Sequence, residues 1–154
     1  MLAFFFLCYN LIVMDMKLED LLNLDGIEIE DKIVDSIDDV RVELRDLTTD
    51  LTCKIYSSYM REALGNRHLI SRIVNTKELG FPYEHLFNVV VDGVDNYYLI
   101  DLTYKQFNNN EFIDLLLQGF MKINDETFNR YLEIVGKDKI NINIEDIFYN
   151  SKKR

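Results

Sequence analysis

Tryptophan is absent from this sequence, proline occurs once (Pro82) and cysteine twice (Cys8 and Cys53). One proline and six glycines leave no stretch with the composition of a flexible linker, so the chain reads as a single domain over 1–154. The two cysteines form no Cys-x-x-Cys, and His68 and His85 have no ligand partners at metal-binding spacing. No metal and no cofactor is expected. Basic charge is scarce, with 17 Lys and Arg against 27 Asp and Glu and a formal net charge of −10. Binding to a phosphate backbone rests on Lys and Arg, so no nucleic-acid partner is expected. The acidity serves solubility, with the steering of a basic partner as the lesser alternative.

Long apolar runs are also missing. The strongest, MLAFFFLCYNLIVM at 1–14, is interrupted by Asn10, whereas a bilayer-spanning helix needs about 20 apolar residues. A secretory signal would begin with basic charge and end at a small-residue cleavage site, and neither is evident. Stable membrane insertion is not expected. The segment reads as a helix packed on the domain, or as an upstream extension of a chain that begins at Met14 or Met16, with a weak membrane or export signal as the minor alternative.

What is present suffices for a core, since 48% of the residues are hydrophobic. Residues 15–24 predict a short amphipathic helix ended by Asp25-Gly26. Ile29, Ile33 and Ile37 recur every four residues and predict a second helix over 27–40. The stretch 41–50 alternates at first and then turns at Thr48-Thr49-Asp50. A helix over 51–64 follows, capped by Thr49 or Asp50, with Cys53 in its first turn. Residues 68–75 predict a strand. Runs 85–91 and 95–101 flank Asp92-Gly93-Val94 and predict a hairpin. Helices over 111–118 and 125–135 come next. The segment 139–149 alternates at its start, which suits an edge strand or a final turn. The class is α+β.

Three residues carry chemistry. A helix N-terminus favours a thiolate through its unpaired amides and its dipole, so Cys53 is a candidate nucleophile. With Asp92-Gly93-Val94 as the loop, hairpin counting sets His85 opposite Asp101, about 5 Å apart on one face. A two-residue Asp92-Gly93 loop would instead set His85 opposite Ile100. In the first register the carboxylate holds one ring nitrogen and frees the other for a thiol, which is the nucleophile–base–orienter arrangement. Taken singly, each residue has a blander reading: a small core hydrophobe, a structural histidine and a turn aspartate.

The segments T-C-K-I-Y-S at 52–57, E-H-L-F-N-V-V-V at 84–91 and Y-Y-L-I-D-L-T-Y-K-Q-F at 97–107 together resemble the core of the transglutaminase-like branch of the papain-like cysteine enzymes. The resemblance covers 51–107. It implies a central helix that begins at the cysteine and packs on a small antiparallel sheet with flanking helices. It also implies a Cys53–His85–Asp101 triad for acyl transfer to water (protease or glutamine deamidase) or to an amine (transglutaminase), with a protein or peptide substrate. The sequence departs from the pattern in having Thr52 and Lys54 beside the cysteine and no glutamine before it. The oxyanion would then fall to the Cys53 backbone amide, helped by Thr48, Thr49 or another backbone amide, with Thr49 preferred. Tyr83, Phe87, Tyr97 and Tyr104 are candidates to line an apolar cleft, or core packing. A nucleophilic Cys53 must stay out of a disulfide, which points to the cytoplasm or another reducing compartment. Export as a bacterial effector or toxin is compatible with the resemblance. The rival reading is an inactive interaction domain that binds a basic partner through its acidic surface.

Overall fold

Four short strands pair in sequence order into one antiparallel sheet: β1 (Ile70–Asn75), β2 (Leu86–Val91), β3 (Tyr97–Ile100) and β4 (Phe120–Ile123). The helices are α1 (Leu18–Glu43), α2 (Cys53–Asn66), α3 (Ile113–Gln118), α4 (Asp125–Gly136) and α5 (Ile144–Tyr149). The structure is a computed structural model that describes residues 18–48, 51–93 and 96–149. The α+β class follows directly. Segment 1–14, Thr49 and Asp50 lie outside the described residues. Among those described, no helix is long and apolar enough to cross a membrane.

The chain divides into two compact units, Met1–Asp31 and Lys32–Arg154. In the first, the described residues are the opening turns of α1. The second holds the rest of α1, the sheet and the other helices.

Two helices were expected across 15–40, with a break at Gly26 and an alternating stretch after Arg41. Helix α1 instead runs through both places. In the second unit Ile33, Ile37, Val40 and Leu44 are all buried, and their spacing of four, three and four is that of one helix face. That burial outweighs the brief alternation around Val42.

Each strand presents alternate residues to opposite faces. Phe87, Val89, Val91 and Leu99 join Phe128, Tyr131, Leu132 and Val135 of α4 and Ile144, Ile147 and Phe148 of α5 in one apolar core. Helix α2 packs across β1 and β2. It buries Tyr56, Met60, Ala63 and Leu64, and the Asn88 side-chain amide donates to the Ser57 carbonyl at 3.0 Å. The sheet therefore separates α2 from α4 and α5.

The hairpin register corrects the sequence expectation. Val91 pairs with Tyr97 and Asn88 with Ile100, so continued counting sets Phe87, not His85, opposite Asp101. The connection is longer than three residues because Asp92 and Asn96 close it: the Asn96 N–H donates to Asp92 Oδ1 and its side-chain amide to Asp92 Oδ2, both at 2.9 Å. The slip is of two residues, which preserves the face of every side chain; a slip of one would have reversed it. His85 and Asp101 remain on one face as diagonal neighbours.

Candidate active site

His85 immediately precedes β2 and Asp101 immediately follows β3. Both have the parity of Phe87 and Leu99 and so belong to the α4 face. Cys53 is the first residue of α2, from the other side of the sheet. The three meet beyond the last β2–β3 pair.

Asp101 is the most thoroughly held of the three. Its Oδ1 accepts from the Thr103 backbone N–H and from the Thr103 hydroxyl, both at 3.0 Å. Its Oδ2 accepts from His85 Nε2 at 2.8 Å and from the Tyr131 hydroxyl at 2.6 Å. Four donors fill the acceptor capacity of one carboxylate, and the Gln106 side-chain amide extends the network by donating to Thr103 Oγ1 at 3.2 Å. Burial works to raise the carboxyl pKa, but the His85 charge and these hydrogen bonds hold it below its ordinary value.

His85 is buried and fixed from several directions. Thr76 grips its backbone: the His85 N–H donates to Thr76 Oγ1 at 2.8 Å, and the Thr76 N–H donates to the His85 carbonyl at 3.0 Å. The Phe107 ring meets the imidazole edge to face, with centroids 4.7 Å apart. Burial disfavours the charged ring, but the Asp101 carboxylate and its hydrogen bond, followed by Cys53, overcome this and push the pKa up to about 9. With Nε2 given to Asp101, Nδ1 is the nitrogen left to face the Cys53 sulfur, which lines the same cleft.

Cys53 is half-buried and free. Burial acts to raise its pKa, yet the hydrogen bond to His85, a hydrogen bond from the Leu86 backbone N–H and the His85 charge bring it below the ordinary thiol value. The Leu86 amide is aimed by the pleat. Thr76 takes both His85 backbone groups on the β1 side, so the next residue points its N–H the other way. There β3 has already ended at Ile100, so no strand carbonyl of β3 takes this amide.

Among the described residues the first turn of α2 carries no side-chain cap, and it holds no acidic residue. The sequence expected Thr49 or Asp50 as cap. The cap is Thr52, and its hydroxyl donates backward to the Thr48 carbonyl at 2.6 Å. The amides of Cys53 and Lys54 precede the first intrahelical bonds and face outward from the helix start.

Cys53 and His85 open onto a cleft of about 750 Å³. Of the four aromatic residues expected to line it, Tyr83 does so. Phe87 and Tyr104 are buried in the core, where Tyr104 donates to the Glu111 carbonyl. Tyr97 packs on Phe148 and borders a different cavity. Sequence reasoning missed Tyr131, Thr76 and the Leu86 amide. The helix over 125–135 was expected, but nothing in its sequence named a partner for the Tyr131 hydroxyl. No protein-family profile, curated protein or solved structure matches this chain.

Proposed function

We propose that this chain is a thiol-dependent acyl-transfer enzyme of papain-like, transglutaminase-like architecture, acting on a protein or peptide amide through Cys53, His85 and Asp101. One observation carries the reading. A buried histidine is clamped on one nitrogen by a fully hydrogen-bonded aspartate, and it lines one cleft with a helix-start thiol whose pKa its charge lowers. A core histidine needs no cleft, and a core cysteine needs no donated amide.

The steps follow from the pKa directions. A lowered thiol and a raised imidazole favour the thiolate–imidazolium pair over the neutral pair. The thiolate attacks the amide carbonyl, and the developing oxyanion falls near the uncapped first-turn amides, with Cys53's own amide the leading donor. His85 passes its proton to the leaving nitrogen, the amine departs, and a thioester on Cys53 remains. Asp101 supports the imidazolium without taking its proton. Water activated by the now neutral His85 then releases the acid, giving peptide cleavage or glutamine deamidation. An amine in place of water would make the reaction a transglutamination. The chemistry needs Cys53 reduced, which fits a reducing compartment.

Alkylation by iodoacetamide, followed at Cys53 over pH, tests the pair. Reactivity is expected to persist well below the free-thiol pKa of about 8.5 and to lose that low-pH limb in His85→Ala. An ordinary thiol profile that His85→Ala does not alter would refute the reading. With a mixed peptide library, new N-termini would assign a protease, ammonia without cleavage a deamidase, and incorporation of a primary amine a transglutaminase. Ordinary alkylation with none of these products would leave the interaction-domain reading.

A further inference from the structure

Charge is unevenly distributed around the cleft. The chain has 27 acidic and 17 basic side chains, yet among the described residues lining the cleft the ammonium groups of Lys54 and Lys137 stand against the single surface carboxylate of Glu84. Glu84 is already engaged, since the Asn75 side-chain amide donates to its Oε2 at 2.9 Å. Lys54 directly follows Cys53, and the first turn of α2 holds no acidic residue to offset it. Its charge therefore adds to the positive end of the helix dipole. The Lys137 ammonium lies over the Tyr83 ring, 4.6 Å from the centroid, which restrains a long side chain at the rim.

Backbone strain gathers in the same place. Among the described residues five non-glycine positions have positive φ, and Leu51, Asn108 and Lys137 of these line the cleft. Lys137 follows the last residue of α4 at φ 57, a position that glycine fills without strain. A lysine held there accepts an unfavourable backbone to place its ammonium beside the cleft. Conformations of this kind collect where a surface has work to do.

From the two lysines and the strained rim we propose that the cleft takes an acidic peptide segment, with a carboxylate next to the reactive amide, and that Lys54 and Lys137 read that carboxylate. This rests on the acyl-transfer reading of Cys53 and adds the substrate class. Net negative charge on the whole chain does not contradict it, because at physiological salt exposed charges beyond about 8 Å are largely screened. The rim lysines thus dominate what a bound segment meets.

The test needs no known substrate. Iodoacetate and iodoacetamide share a leaving group and differ by a carboxylate. Their rates at Cys53 are measured on the full chain at low salt, with the site resolved by peptide mass mapping because Cys8 is the other thiol. The ratio of iodoacetate to iodoacetamide is expected to fall about threefold in Lys54→Gln or Lys137→Gln and about tenfold in the double variant. Lys→Arg at both positions should keep the ratio, and about 1 M salt should shrink the difference between the variants and the parent. A glutamine peptide flanked by glutamates should also protect Cys53 from iodoacetamide at lower concentration than the same peptide flanked by lysines. An unchanged ratio in the double variant, or equal protection by the two peptides, would overturn the proposal. Loss of the low-pH iodoacetamide limb in His85→Ala reports on the thiolate pair alone, so the two ideas fail separately.

Discussion

At the scale of single residues, the site depends on a hydroxyl that no motif announces. Tyr131 is fully buried and places its O–H on the same Asp101 oxygen that receives His85 Nε2. It does not reach the surface, so in the proposed reaction it acts through Asp101, as a positioning residue. Burial and the neighbouring Asp101 charge push its own pKa well above the ordinary tyrosine value, so it stays a donor. Tyr131→Phe keeps the ring and removes one of four donors to a charged acceptor, with an expected cost of about 1.5–3 kcal/mol in urea unfolding. The remaining carboxylate charge then bears more fully on His85, so the alkaline limb of the Cys53 alkylation profile should move to higher pH. A stability loss with an unmoved profile would reduce Tyr131 to packing. Cys53, His85 and Asp101 were legible in the sequence because a helix start and two strand ends carry recognisable residue types. Thr76, Tyr131 and the Leu86 amide were not, because a backbone group or a buried hydroxyl leaves no pattern until its partner is known.

At the scale of elements, the hydrophobic period was the dependable signal and the pairing arithmetic was not. Helix α2, the hairpin and α4 lie within a few residues of where their patterns put them. The strand β4, the continuity of α1 and the register of the hairpin needed tertiary information. The alternation at 139–143 shows why. Ile140 and Ile142 do pack toward the core, but among the described residues no strand pairs with them. The Asn129 side chain replaces one: its amide donates to the Ile142 carbonyl, and its oxygen accepts from the Ile142 N–H, both at 2.7 Å. One side-chain amide thus satisfies both backbone groups of an extended residue. The chain is then free to turn into α5, where Ile144, Ile147 and Phe148 bury at helical spacing. Asn129→Ala strands the Ile142 groups and is expected to cost about 1–3 kcal/mol by urea denaturation, while Cys53 alkylation stays unchanged. A loss within a few tenths of a kcal/mol would mean that water replaces the amide without penalty.

At the scale of the whole molecule, the thiol–imidazole pair makes a statement about stability as well as reactivity. His85 is raised from 6.5 to about 9 on folding, so its contribution is complete below pH 6.5 and is lost as pH climbs through about 9. Cys53 is lowered from 9.0, so its contribution is complete above pH 9.0 and is lost as pH falls through its folded value. Asp101 is lowered from 3.8; its contribution is present above that value and is lost in acid as pH falls through the folded pKa. In the proposed thiolate–imidazolium form the folded pair holds one proton near neutrality. The unfolded pair, thiol with neutral imidazole, also holds one. Equal proton counts make stability independent of pH, so the urea midpoint should be level from about pH 7 to 8.5. Cys53→Ser breaks that balance. Its folded state keeps the proton on His85, because Asp101 remains, while its unfolded state has none to match it. Its stability should therefore decline as pH rises through the same window, with a slope approaching about 1.4 kcal/mol per pH unit, the value for one proton. Level curves for both proteins would mean that the folded pair is neutral, and the proposed reaction would then need the thiolate to form only once a substrate is bound.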